Sequence, residues 1–172
     1  MNDSESQKPV KFSHVSDDGK ASMVDVGQKD PTRRTALGEA WVNVGAEIAE
    51  LLRTTGAVAK GNVLETARVA GILAAKRTAE LIPMCHPLGL DVVEIDAELD
   101  GDKVHILARA VCHGKTGVEM EAMTAVSVAA LTVYDMVKSA GKGVEIGPIR
   151  LLEKTGGKSG CWTRAENNDG NG

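Results

Sequence analysis

A long helical pattern from Gly114 to Lys138 constrains the fold more than any other part of the chain. Apolar residues recur there at steps of three and four, which marks one face of a helix, at Met123, Ala130, Val133 and Val137. Thr116 is placed to cap the helix, and Glu119 three residues later completes a capping box. The sequence therefore predicts a long helix that buries one side.

The same helix carries a second row of residues, Glu121, Thr124, Asp135 and Lys138, and ends in an acid and a base. Asp135 and Lys138 lie one turn apart on the same side. A carboxylate beside an ammonium can exchange protons with a bound substrate, because each group shifts the proton affinity of the other. The alternative is a surface ion pair worth about 0.2 to 0.5 kcal/mol, and spacing alone favours that alternative.

The remaining patterns predict an α+β fold of the ferredoxin-like βαββαβ type, a four-stranded antiparallel sheet with helices packed on one face. Helices are expected at Ala46 to Thr55 and from Asn62, capped with the help of Glu65, to Pro83. Small apolar residues alternate in the first strand, and Asp100-Gly101 suits a hairpin turn. The expected strands are Arg34 to Val44, Gly89 to Leu99, Lys103 to Val111 and Val144 to Glu153.

The second strand predicts which side of the sheet faces the core. Apolar residues alternate there with acids, and the acids are Glu94, Asp96 and Glu98. The other face of the sheet is therefore expected to be solvated. We predict a flexible N-terminal segment over residues 1–21, a single catalytic domain over 22–162 and a flexible tail over 163–172.

Charge and composition exclude several classes of function. A net charge of -4 and an aromatic fraction of 2% argue against nucleic-acid binding. The apolar runs suggest no membrane span, and the polar start is not a signal peptide. An odd set of three cysteines, at 85, 112 and 161, suits a reducing compartment, so a cytoplasmic protein is expected.

Two motifs suggest a metal or a phosphate loop, and both fall short. Adjacent Cys-His pairs begin at Cys85 and Cys112, but neighbouring residues of an extended chain point to opposite sides, so no metal site is predicted. GKTG at Gly114 and GKSG at Gly157 lack the earlier glycine of a nucleotide-hydrolysing P-loop. Anion binding at the N-terminus of the long helix remains a candidate function of this segment. Lys115, Lys154 and Lys158 could add positive charge there, or they could be solvated lysines beside flexible turns.

Three segments together carry a resemblance to a known family. They are the long helix, the loop LIPMCHPLGL from Leu81 to Leu90 and the tail IGPIRLLEKTGGKSG from Ile146 to Gly160. From about Met23 to Gly160 the chain resembles the cyclic pyranopterin monophosphate synthases, molybdenum cofactor biosynthesis protein C. The resemblance implies a lyase that converts (8S)-3',8-cyclo-7,8-dihydroguanosine 5'-triphosphate into cyclic pyranopterin monophosphate and releases diphosphate.

The resemblance also implies roles for individual residues. The expected catalytic residues are Asp135, Lys138 and Lys60. The expected substrate-binding residues are Met84, Cys85, His86, Met120, Glu121, Arg34, Lys154 and Lys158. No cofactor is firmly implied, although a divalent cation such as Mg²⁺ could accompany the triphosphate. Unaided, the residues leave surface solvation as the default for Lys60 and Arg34, whereas His86 lies in a proline-stiffened loop without a packing role.

The expected site needs two chains. Glu121 and Asp135 are fourteen residues apart on one helix, which separates them by roughly 20 Å. A neighbouring subunit should therefore supply one of them, and the resemblance implies a homohexamer built as a trimer of dimers with sites at a dimer interface. Two other functions stay open: a lyase that acts on GTP or a dihydropterin directly, and a non-catalytic module that binds nucleotides or a protein.

Overall fold

The computed structural model of the protein describes residues 20–58, 61–158 and 160–165. Its helices are α1 (Gly45–Thr55), α2 (Val63–Ala75), α3 (Thr78–Leu81) and α4 (Glu119–Val137). Its strands are β1 (Thr32–Asn43), β2 (Ala57–Val58), β3 (Gly61–Asn62), β4 (Val92–Asp100), β5 (Lys103–Gly114), β6 (Glu145–Thr155) and β7 (Trp162–Thr163). Of the predicted flexible segments 1–21 and 163–172, residues 1–19 and 166–172 lie outside the described residues.

The main sheet is antiparallel and has five strands in the order β4-β5-β1-β6-β7. The α+β class is as predicted, but the predicted four-stranded sheet is wrong. The fifth strand, Trp162–Thr163, pairs with the end of β6, and β2 and β3 form a separate two-stranded sheet. Strands of two residues show no hydrophobic alternation, so the sequence pattern could not reveal them.

The two long helices pack on each other through small residues. An added Cβ at Gly71 of α2 would lie 2.8 Å from the backbone oxygen of Ala125 in α4. Gly38 of β1 approaches the backbone oxygen of Ala122 in the same way. These close approaches let α4 lie against both α2 and the sheet, where Ala129, Ala130, Val133 and Val137 are fully buried. The predicted buried side of the long helix is therefore present at Ala130, Val133 and Val137, whereas Met123 is only half-buried.

The start of α4 differs from the prediction. The helix begins at Glu119, and its N-cap residue, Val118, makes no side-chain cap hydrogen bond. Thr116 is therefore not the cap, because residues 115–117 remain a turn that joins β5 to the helix. The cap predicted at the start of α2 is confirmed, since the Asn62 side chain accepts a hydrogen bond from the Glu65 backbone at 3.0 Å. That helix ends at Ala75 instead of continuing to Pro83.

The α4 helix is long and apolar enough to span a bilayer by length and composition, contrary to the expectation from run lengths. More than half of that stretch, 56%, is buried inside the protein. Burial of this kind is typical of the central helix of a soluble core, which needs the same composition as a membrane span.

The open face of the sheet is solvated only in part. Along β4 the acids predicted to face water are exposed. At the centre of the same face Glu39 is only 6% exposed, and its carboxylate accepts hydrogen bonds from His105 at 3.0 Å and Arg150 at 2.6 Å. The His105 ring stacks on Trp41 with centroids 4.1 Å apart. The prediction of a fully solvated face is therefore wrong at its centre, where these side chains cover one another.

Candidate active site

A pocket of about 1040 Å³ opens where five segments meet. These are the chain before β1, the start of β1, the loop between α3 and β4, the turn that enters α4, and the end of β6 with the turn that follows. The residues 22–30 before β1 are here called the N-terminal strap. The sheet and α4 fix three of the walls, because β1, β6 and α4 all contribute their ends to this one place.

All eight residues that the sequence predicts to bind substrate line this pocket. They are Arg34, Met84, Cys85, His86, Met120, Glu121, Lys154 and Lys158. Their role in binding stays a prediction, but they come from four separate segments and would share a single ligand. Two of the three predicted catalytic residues, Asp135 and Lys138, do not line the pocket. The third, Lys60, lies outside the described residues.

Cationic side chains outnumber acids around the pocket. The cations are Lys29, Arg34, Lys115, Lys154 and Lys158, and the acids are Asp30, Glu119 and Glu121. Although the whole chain carries a net charge of -4, this local excess of positive charge suits an anionic ligand, and lysine and arginine are common phosphate-binding residues.

Two consecutive glycines make room for Arg34. Gly156 and Gly157 have φ values of +98° and +74°, a backbone conformation that other residues rarely adopt. A side chain at Gly157 would collide with the Arg34 guanidinium, which lies over this turn. The Arg34 Nε also donates a hydrogen bond to the Gly114 carbonyl at 3.4 Å. The glycine-rich segment therefore holds a cation at the pocket edge.

An ion pair joins β6 to the beginning of α4. The Lys154 ammonium donates a hydrogen bond to the Glu119 carboxylate at 2.9 Å. That carboxylate lies directly over Gly117, where a Cβ atom would overlap it. The missing side chain at Gly117 thus allows Glu119 to turn towards Lys154 instead of capping its own helix.

Glu121 is the most buried acid of the pocket, with 4% of its surface exposed. Burial raises the pKa of its carboxyl, and the nearby charge of Glu119 raises it further. Burial, followed by the charge of Glu121, also raises the pKa of the Cys85 and Cys112 thiols. The two thiols are therefore protonated near neutral pH and poorly suited to act as nucleophiles, whereas the raised pKa of Glu121 extends the pH range over which its carboxyl can donate a proton.

The sequence patterns predict neither the N-terminal strap nor a pocket role for Lys29. The strap contributes Val24, Val26, Gln28, Lys29 and Asp30 to the pocket. The His86 Nε2 lies 2.9 Å from the Val24 carbonyl oxygen. A carbonyl only accepts hydrogen bonds, so Nε2 carries the proton and Nδ1 is left to accept a hydrogen bond or a proton. The sequence signal for the strap is a short alternation of valines with polar residues.

Asp135 and Lys138 form the predicted pair, with 2.6 Å between Oδ1 and Nζ. Both side chains are more than half exposed, at 56% and 54%. The hydrogen bond from Lys138 to Asp135 raises the pKa of the lysine, and the opposite charge adds to this effect. The pair lies at the C-terminal end of α4, whereas the pocket lies at the N-terminal end of the same helix.

No group of three or more His, Cys, Asp or Glu side chains that could hold a metal ion occurs within residues 20–58, 61–158 and 160–165.

Comparison with known proteins gives a consistent result. The MoaC family model matches residues 23–157. A cyclic pyranopterin monophosphate synthase of Streptomyces avermitilis is 54% identical over 155 residues, covering 90% of this chain and 91% of the relative. Two enzymes with the same name are also similar. The one from Novosphingobium aromaticivorans is 50% identical and covers 90% of this chain and 98% of the relative. The one from Thermomicrobium roseum is 50% identical and covers 91% of this chain and 95% of the relative.

Proposed function

This chain belongs to the MoaC family, and we propose that the cationic pocket is where it makes cyclic pyranopterin monophosphate for molybdenum cofactor biosynthesis. One observation carries the location: residues predicted to bind substrate arrive from four segments and line one cavity. Its volume of about 1040 Å³ is large enough for a nucleoside triphosphate, because small-ligand pockets measure roughly 300 to 1,000 Å³.

The proposed substrate is the cyclised dihydro-GTP, (8S)-3',8-cyclo-7,8-dihydroguanosine 5'-triphosphate. The reaction expels diphosphate while a cyclic phosphate closes, so negative charge concentrates on the departing group. Arg34, Lys154 and Lys158 are placed to offset that charge, and fixed cations do so without reorganising during the reaction. A divalent cation such as Mg²⁺ would enter with the triphosphate, held mainly by phosphate oxygens and water.

Ring opening and closure also require proton transfer, for which we propose two sources. Burial raises the pKa of Glu121 above its usual value, which extends the pH range over which its carboxyl can donate a proton to a nitrogen or oxygen of the bound ring. Asp135 and Lys138 form the second source, since their short hydrogen bond keeps an acid and a base in contact. Lys60 is proposed to join them on the basis of the family resemblance.

The second source has to come from another copy of the chain. On α4 the exposed residues Met120, Leu131 and Lys138 recur at steps of eleven and seven, which places them on one face of the helix. Met120 lies at the pocket, and Leu131 is 57% exposed on the way to Lys138. Two α4 helices packed antiparallel along this face would bring Lys138 of each copy to the pocket of the other. We propose this two-fold contact as the unit of the expected hexamer.

The finer fold and the compartment are also proposals. The four long strands lie in the order β4-β5-β1-β6 with α2 and α4 beside them, which supports a ferredoxin-like unit to which β7 and the small sheet are added. The described cysteines, Cys85, Cys112 and Cys161, are free thiols, which suits the reducing cytoplasm.

A direct assay tests the function. Purified protein is supplied with the cyclised dihydro-GTP, and mass spectrometry follows diphosphate and the pterin product. GTP and a dihydropterin, supplied separately, test the rival lyases. Turnover of the cyclised compound alone is expected. A folded oligomer that binds this compound without converting it would be a binding module, and the proposal would be wrong.

A further inference from the structure

A chain of hydrogen bonds within the N-terminal strap ends in the pocket. The Asp25 carboxylate accepts a hydrogen bond from the Gly27 backbone N–H at 2.7 Å, and the Lys29 N–H donates to the Val26 carbonyl at 3.1 Å. Together these bonds close a tight turn around Gly27. The Gly27 carbonyl in turn accepts a hydrogen bond from the Lys115 ammonium at 2.7 Å.

Lys115 gains a defined position from this contact. A lysine side chain is long and flexible, and an exposed one samples many rotamers. The bond to Gly27 fixes the ammonium at the pocket wall and uses one of its three donors, so two remain for another acceptor. An anion that binds there meets an ammonium group that is already ordered, so binding does not include the entropy cost of ordering it.

Asp25 does not line the pocket, although its neighbours Val24 and Val26 do. Its carboxylate is used in shaping the turn that presents the Gly27 carbonyl. The His86 ring contacts the Val24 carbonyl, so the strap is fixed to the pocket at Val24 and at Gly27. The flanking residues 20–23 and 28–30 are exposed.

We propose that Asp25 is a positioning residue for this reaction, which acts through Gly27 to hold the Lys115 ammonium in place for a phosphate group of the ligand. That this phosphate belongs to a triphosphate substrate rests on the proposed function. The arrangement itself needs only an anion with phosphate chemistry.

Inorganic diphosphate is the probe that tests this inference, with its affinity measured by calorimetry on the full-length protein. Asp25→Ala should weaken binding about tenfold, the size expected from losing one hydrogen bond that organises a charged group. Asp25→Asn removes the same charge but keeps an oxygen acceptor, so it should bind within about twofold of the parent protein. Asp96→Ala, on the exposed face of β4, is the matched control and should change nothing.

A double variant decides whether Asp25 acts through Lys115. Lys115→Met should weaken diphosphate binding at least as much as Asp25→Ala does, and adding Asp25→Ala to it should cause no further loss. Additive losses would overturn the proposal. Tighter binding in both Asp25 variants would also overturn it, since simple removal of a negative charge would then explain the data.

Hydrogen exchange of the ligand-free protein gives an independent reading. Amides of residues 22–30 should exchange faster in Asp25→Ala and in Lys115→Met than in the parent protein, with Asp25→Asn unchanged. Unchanged exchange in Asp25→Ala would show that the turn does not depend on this carboxylate. These readings do not use turnover, so a protein that fails the activity assay but shows non-additive losses would refute the proposed reaction and retain the positioning role.

Discussion

At Glu121, burial and the charge of Glu119 both favour the neutral carboxyl. An acid in such a place costs the folded protein stability whenever it is forced to ionise. The same property makes the residue useful as a proton donor, because its carboxyl stays protonated to a higher pH than that of an ordinary glutamate.

Replacement of Glu121 by glutamine should change how stability depends on pH. The folded pKa lies above the usual 4.5, so above that pH the folded state binds more protons than the unfolded state and stability falls until the folded pKa is passed. The amide lacks this effect, and each pKa unit of difference corresponds to about 1.4 kcal/mol. Urea unfolding between pH 4 and pH 8 at fixed protein concentration should show the advantage of Glu121→Gln growing with pH. Parallel curves for parent and variant would contradict this, and exposed Glu98→Gln is the control.

The exposed pair on α4 should affect turnover and leave folding intact. Asp135→Asn and Lys138→Ala should each lower the rate of product formation by on the order of 10² or more, since each removes a proton-transfer group. Their side chains are 56% and 54% exposed, so circular dichroism and unfolding curves should match those of the parent protein. Lys142→Ala, another exposed lysine beyond the helix, serves as control. Parent-like turnover in either variant would exclude that residue from the chemistry.

Side-chain motifs identified residues in four of the five segments that line the pocket, and backbone contacts explain why the N-terminal strap was missed. Residues such as His86, Glu121 and Lys154 carry functional groups that stand out in a sequence and belong to segments with a family resemblance. The strap contacts the pocket through the carbonyls of Val24 and Gly27. Every residue has a carbonyl, so no residue type could reveal these contacts.

At the scale of elements, close packing of small residues joins α2 to α4. Gly71→Ala should gain about 1 kcal/mol of helix propensity but lose about 1 to 3 kcal/mol through overpacking. The new Cβ would lie 2.8 Å from the Ala125 backbone oxygen, and a backbone atom cannot rotate away. A net loss of about 1 kcal/mol should lower the melting temperature by roughly 2 to 4 °C.

Gly143→Ala is the control for that substitution, since a Cβ there meets nothing within 4 Å. Calorimetric melting of the two variants at equal concentration makes the comparison. A Gly71→Ala protein as stable as the parent would show that α2 can shift away from α4 without cost.

Element boundaries were predicted well where local signals decide and poorly where distant residues do. Asn62 caps α2 as its sequence pattern predicts. Thr116 and Glu119 show an equally good capping pattern, but Glu119 pairs with Lys154 from a strand far along the chain. Similarly, Trp162–Thr163 becomes a strand only because β6 offers it an edge. Tertiary contacts of this kind produce no periodic pattern in the sequence.

At the scale of the whole molecule, α4 carries the pocket at one end and the acid-base pair at the other. Subunits with Asp135→Ala and subunits with Glu121→Ala should therefore be inactive alone and partly active after dissociation and reassembly together. In random two-fold pairs, about a quarter of the sites would combine an intact Glu121 with an intact Asp135 from the other chain. Product formation by the mixture, compared with each parent treated alike, is the measurement. Mixed assemblies that form but stay inactive would mean that sites lie within single chains.

The buried carboxylate of Glu39 has a consequence for how the sheet aligns as the chain folds. Pairing of β1 with β6 is irregular on both sides of this residue, between Leu37 and Gly38 and between Ala40 and Val42. A slip of one residue would turn Glu39 from the open face into the apolar core, away from Arg150. An unpaired buried carboxylate costs several kcal/mol, so the slipped alignment is disfavoured. The charge of Glu39 thus favours the native alignment of β1 with β6, before any ligand binds.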